Sequence, residues 1–201
     1  MNTTRITRKP ILFLISLIIG LVMYFGFLIN MLPLFFANME SIEKNMLALV
    51  IVIASIYILL KMIVHVNSKA DVYILFILYM FVLFLGLLRP DQIGAGERIY
   101  SFNPIGFISD MQENRLSKTV FVINIVMFMP MYFLLAKMNL FKKLIPNILL
   151  FEVLCFSIEC LQFYFKKGVF DLSDILLYNI GFFIGYFVVL PLFKNKNSKG
   201  R

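Results

Sequence analysis

Six apolar runs separated by short polar stretches organise this chain, and each is long enough to be read as a helix crossing a bilayer. They cover about Ile11 to Ala37, Leu47 to Val66, Val72 to Leu88, Thr119 to Ala136, Leu144 to Phe165 and Leu172 to Phe193. The first carries Pro33 and predicts a kink near it. The second ends in Lys61 and His65, which are expected to reach the membrane interface. The third has neither acid nor base. Between the third and fourth runs, Arg89 to Lys118 holds the chain's mixed-charge stretch around an apolar centre, IYSFNPIGFI. That centre is read either as a segment that dips into the interface or folds back over the bundle, which non-helical backbone does only where its polar groups are satisfied, or as an ordinary aromatic-rich interfacial loop.

The expected architecture is therefore all-α, a polytopic helical bundle of about six transmembrane helices. Residues 1–88 form three N-terminal spans, 89–118 an extracytoplasmic loop, either re-entrant or interfacial, 119–193 a three-helix core and 194–201 a basic cytoplasmic tail. Composition agrees: 61% of the 201 residues are hydrophobic and 15% charged, which excludes an ordinary soluble domain. A net charge of +8 would suggest nucleic acid in a soluble chain, but here the basic residues sit in loops and tails and set orientation instead. With the N-terminus inside, Arg5, Arg8, Lys9, Lys69, Lys137, Lys142, Lys143 and the tail fall on the cytoplasmic side and outnumber the outer cations, so both termini are expected in the cytoplasm. Cys155 and Cys160 are five apart on one helix and point about 140° from each other, so no disulfide is expected. No metal-ligand motif, phosphate loop or cofactor box is present, and no cofactor is expected.

The chemistry gathers where the fifth and sixth runs meet. Glu152, Cys155, Glu159 and Gln162 make one stripe of the fifth helix, and Asp171, Asp174, Tyr178, Gly181 and Gly185 one stripe of the sixth. A short turn makes the two helices antiparallel neighbours with Glu159 and Gln162 facing Asp171 and Asp174, and the topology brings Asn124 to the same outer end. A carboxylate at mid-membrane costs about 3 kcal/mol, so such residues point to function by default. Simpler roles exist for each: Asp171 is placed to cap the sixth helix, and Glu159 to hydrogen-bond Gln162, Asn124 or a tyrosine. Gly181-x-x-x-Gly185 allows close helix approach and is read as intramolecular packing on the fifth helix.

The ordered set Asn124-x-x-x-Phe128-x-Pro130, Ser157-x-Glu159-x-x-Gln162 and Val169-Phe170-Asp171-x-x-Asp174, followed by Gly181-x-x-x-Gly185, resembles the VanZ-like family of bacterial membrane proteins. The Phe102-Asn103-Pro104 segment looks like the Asn- and Pro-rich stretch before that family's core, which adds Asn103 to the candidate binding residues. The resemblance covers roughly Phe102 to Tyr186. It departs where Gly168 stands at the family's usual arginine, where Tyr178 stands at its usual asparagine, and where Tyr132 stands at its usual glycine after the proline of the fourth run. It implies a multi-pass protein of the bacterial cell membrane giving low-level resistance to teicoplanin and related lipoglycopeptides. The expected partners are membrane lipids, with a lipid-linked wall precursor or a lipoglycopeptide as candidate ligands; the oligomeric state stays open. Asn103, Asn124, Glu159, Gln162, Asp171 and Asp174 are the expected contacts. Three mechanisms fit these residues. The first is binding or shielding of an envelope lipid or wall precursor. The second is an intramembrane enzyme, with Glu159 and Asp174 as candidate acid and base or with carboxylates and Asn124 holding a metal. The third is proton-coupled transport with Glu152 and Glu159 as relays.

Overall fold

The computed structural model of the chain describes residues 3–35, 41–88, 100–113, 115–141, 143–166 and 170–189. Nearly all of these are helical, and the chain divides into two compact units, Met1–Arg89 and Pro90–Arg201. Five helical stretches are long and apolar enough to cross a membrane: Arg8–Pro33, Ile42–Ile63, Lys69–Leu87, Phe121–Met138 and Leu144–Phe165. The sixth, Leu172–Val188, is apolar but shorter.

In the first unit, α1 (Thr3–Met23) runs through a π-helical turn, Tyr24–Leu28, into α2 (Ile29–Phe35). The expected irregularity thus begins well before Pro33, with one wide turn in a continuous helix. α3 (Ile42–Ile63) starts earlier than the apolar run suggests, because Ser41 accepts the Lys44 amide and caps it. It returns antiparallel to α1, with Phe13 against Tyr57 at 5.9 Å and the Tyr24 hydroxyl on Asn45 Oδ1 at 2.5 Å.

The end of α3 corrects the reading of Lys61 as an interfacial side chain and leaves His65 exposed. His65 takes φ 57°, its amide donates to the Met62 carbonyl, and the Val66 amide reaches back to Lys61 O at 2.9 Å. This is a Schellman stop with histidine in the position glycine usually holds. The chain then enters α4 (Lys69–Leu87) through a capping box in which Ser68 and Asp71 satisfy each other's amides. The tight hairpin carries Lys61 Nζ to 2.6 Å from Asp71 Oδ1, with both side chains 11% exposed. Lys61 is therefore turned inward onto a carboxylate in the first turn of α4.

The second unit is built on helix register. β1 (Tyr100–Ser101) leads into α5 (Gly106–Glu113) and α6 (Arg115–Met138), so the fourth apolar helix begins four residues before the expected Thr119. α7 (Leu144–Phe165) matches the expected bounds and ends at Lys166 in the left-handed conformation. β2 (Phe170–Asp171) pairs in parallel with β1, Tyr100 opposite Phe170 and Ser101 opposite Asp171. α8 (Leu172–Ile184) follows and closes in a π-helical turn, Gly185–Val189.

α6 and α8 run in the same direction with a constant offset. Asn124 meets Asp174, Phe128 meets Tyr178 and Tyr132 meets Phe182. The two glycines set this register: a Cβ on Gly181 would fall on the Ile125 carbonyl oxygen, and one on Gly185 on that of Met129. The glycine pair does pack within the chain, but on α6 and not on the fifth apolar helix. α7 lies antiparallel to α8, with Phe151 stacked on Phe182 at 4.3 Å. Phe128, Phe151, Tyr178 and Phe182 are all buried and make an aromatic core beneath the polar end of the unit.

Candidate functional site

The site forms where α6 and α8 begin and α7 ends. Glu159, two turns beyond the half-buried Glu152 on α7, is fully buried. Its carboxylate accepts the Tyr178 hydroxyl at Oε1 (2.9 Å) and the Asp171 backbone amide at Oε2 (3.1 Å). Both donors are neutral groups. One side chain thus ties the end of α7 to the start of α8 and to β2, and any shift of Glu159 disturbs all three.

Asp171 has two separate duties. Its side chain caps α8 by accepting the Ser173 amide at 2.8 Å, the simpler role foreseen for it, while its own amide serves Glu159. Asp174, one turn on, takes a hydrogen bond from α6, accepting Asn124 Nδ2 at 2.7 Å. It and Asp171 stay within electrostatic reach of Glu159. Gln162 is buried one turn beyond Glu159 on α7. Glu159, Gln162, Asp171, Asp174 and Asn124 therefore do converge on one end of the unit, as expected. They do so as two linked pairs, Glu159 with Tyr178 and Asp174 with Asn124, and not as a face-to-face set of carboxylates.

Asn103 stands apart from these bonds. It is exposed, and its Oδ1 accepts the Ile105 amide at 3.2 Å, so it shapes the turn between β1 and α5. Lys166 is exposed at the end of α7, and Lys167 and Gly168 lie outside the described residues. Cys155 is buried and Cys160 half-buried, both as free thiols. Among the described residues, no group of three or more His, Cys, Asp and Glu is placed to hold a metal ion.

The residue that sequence reasoning under-read is Tyr178. It shares a stripe with Asp171, Asp174 and the glycines, which was the signal, but it stood out only as a departure from a family pattern. In the structure it is buried between the Phe128 ring, 4.1 Å from its own, and the Glu159 carboxylate. Its hydroxyl gives the buried acid a donor, and its ring joins that acid to the aromatic core. Chemically, the arrangement holds one carboxyl in a buried, hydrogen-bonded pocket next to a second carboxyl that is half-buried and bound to an amide. Such a pair can recognise polar groups of a ligand or exchange a proton with them.

Among known proteins, the model of the family described as VanZ/LLP1 matches residues 72–194, more than half of the chain and wider at both ends than the motifs that suggested it. No curated protein and no solved structure matches the chain.

Proposed function

The chain belongs to the VanZ/LLP1 family, a VanZ-like membrane protein of a kind associated with antibiotic resistance, and from that premise we propose its specific role. It is a multi-pass protein of the bacterial cell membrane, with both termini cytoplasmic, that gives low-level resistance to teicoplanin and related lipoglycopeptides. It does so through an outward-facing polar site that binds or shields an envelope lipid or wall precursor. The observation that carries this reading is the fully buried Glu159, held by Tyr178 and the Asp171 amide beside the Asn124–Asp174 pair. A buried carboxyl whose two donors are neutral lacks the offset an ion pair would supply, so its presence in an apolar bundle argues for use. The charge bias of the loops supports an outer location for this end, where glycopeptides act.

The test is teicoplanin susceptibility of a sensitive host expressing the wild type, Glu159→Ala or Glu159→Gln at matched membrane abundance. Protection by the wild type that is lost in Glu159→Ala is the expected result, with Glu159→Gln largely protective because the amide keeps the shape, accepts the Asp171 amide at its oxygen and donates its NH2 to a Tyr178 hydroxyl turned to accept. A Gln variant as damaged as the Ala variant would shift the reading to an intramembrane enzyme that exchanges a proton. No protection by the wild type would remove the resistance role.

A further inference from the structure

The β1–β2 ribbon carries more exposed aromatic surface than a water-facing turn has reason to show. Tyr100 is 63% exposed and Phe102 64%. Their rings touch at 5.3 Å, Phe102 reaches Phe170 at 6.1 Å, and Phe170 meets Phe156 of α7 at 5.8 Å. Phe156 is itself the last member of an exposed apolar stripe, Ile145, Leu149, Val153 and Phe156, along a helix of membrane-spanning length. The exposed apolar stripe of α7 thus continues without a break onto the ribbon. In water these rings would forgo about 25 cal/mol for every Å² of apolar area left uncovered.

The backbone of the same segment is prepared for a place where water is scarce. β1 and β2 pair with each other, the Asp171 amide is taken by Glu159, and the Ile105 amide by Asn103 Oδ1. The Gly106 amide donates to Asn103 O at 3.1 Å and the Ile108 amide to Ile105 O at 3.0 Å. Non-helical backbone at membrane depth is tolerated where its polar groups are satisfied in this way.

We infer that Tyr100, Phe102, Phe170 and Phe156 form a track that seats the hydrocarbon chain of a bilayer phospholipid and opens the Asp171 end of the Glu159 cluster to the membrane. Phe170 and Asp171 are neighbours on β2, so a chain lying on the track brings its headgroup level with the carboxyls. The inference rests on the reading of that cluster as a site for an envelope lipid, and it names the direction from which the lipid arrives.

The chain contains no tryptophan, so Phe102→Trp gives the full-length protein a single reporter. The variant is reconstituted in phosphatidylcholine vesicles whose acyl chains carry bromine near the glycerol end, and quenching is compared with that by aqueous iodide. The expected result is loss of most of the emission to bromolipid and little to iodide, with Phe156→Trp quenched by more deeply placed bromines. Iodide quenching equal to or stronger than bromolipid quenching overturns the inference. So does protection from both, which would mean that protein covers the track. If Phe102→Trp fails to fold, Tyr100→Trp reads the same surface. Fluorescence here is independent of resistance: a failed susceptibility test leaves the lipid track standing, and a failed quenching test leaves the Glu159 variants to be judged by protection alone.

Discussion

Tyr178 donates its hydroxyl to Glu159 across 2.9 Å while its ring lies 4.1 Å from that of Phe128. One side chain therefore couples the only fully buried carboxyl among the described residues to the core that α6, α7 and α8 share. Tyr178→Phe keeps the ring and removes the donor. A buried acceptor left with one donor fewer costs about 1–3 kcal/mol. The variant is expected to unfold at lower temperature in detergent and to lose protection against teicoplanin. In a double-mutant cycle with Glu159→Gln, the two changes should couple by about 0.5–3 kcal/mol, whereas simple additivity would separate the residues functionally.

Gly181 and Gly185 set the α6–α8 register that brings Phe128 to Tyr178 and Asn124 to Asp174. An added methyl at either position meets a backbone carbonyl, which cannot turn aside as a side chain can. Gly181→Ala and Gly185→Ala are each expected to cost about 1–3 kcal/mol, read as a fall in thermal stability. Gly26, with nothing within 4 Å of its would-be Cβ, serves as the comparison. Gly26→Ala should be neutral or stabilise by up to about 1 kcal/mol. Equal effects at all three glycines would contradict the register argument.

Asn124→Ala removes one donor from Asp174, but Asn124→Asp places a second carboxyl where the donor stood, 2.7 Å from Asp174 Oδ1. The aspartate variant is expected to be the more damaging in both stability and protection, because like charges at that separation repel in a poorly hydrated setting. An aspartate variant better than the alanine one would show that the Asn124 amide is dispensable to the pair.

Lys61→Met leaves Asp71 buried without its cation, and breaking a buried pair on one side costs about 3–5 kcal/mol. Adding Asp71→Asn removes the orphaned charge and should recover part of the loss. Thermal unfolding of the single and double variants checks this, and a double variant no better than Lys61→Met would assign the loss to the aliphatic stem of Lys61 instead.

Much of this was legible in the sequence, for reasons that differ by residue. The bounds of α7 could be read because Lys143 and Lys166 bracket a continuous apolar run, and Glu159, Asp171 and Asp174 stand out as acids in apolar surroundings. The capping role of Asp171 follows from local spacing alone. What could not be read depends on contacts far apart in sequence. The turn of Asp174 towards Asn124 follows from the α6–α8 offset, which two glycines impose and no local pattern announces. The β1–β2 ribbon joins two-residue strands too short to show alternation. Lys61 was misplaced because the stop at His65 folds the chain back within a few residues and brings Asp71 to it.

The outward opening of the Glu159 cluster is the premise on which binding of an envelope component depends. Lys166 lies exposed at the end of α7, next to that cluster in the chain, and Cys155 is buried. A Lys166→Cys variant, with Cys160 replaced by alanine, should be labelled by a membrane-impermeant thiol reagent in intact cells. Labelling only after lysis would put this end of the bundle in the cytoplasm and contradict an extracytoplasmic site.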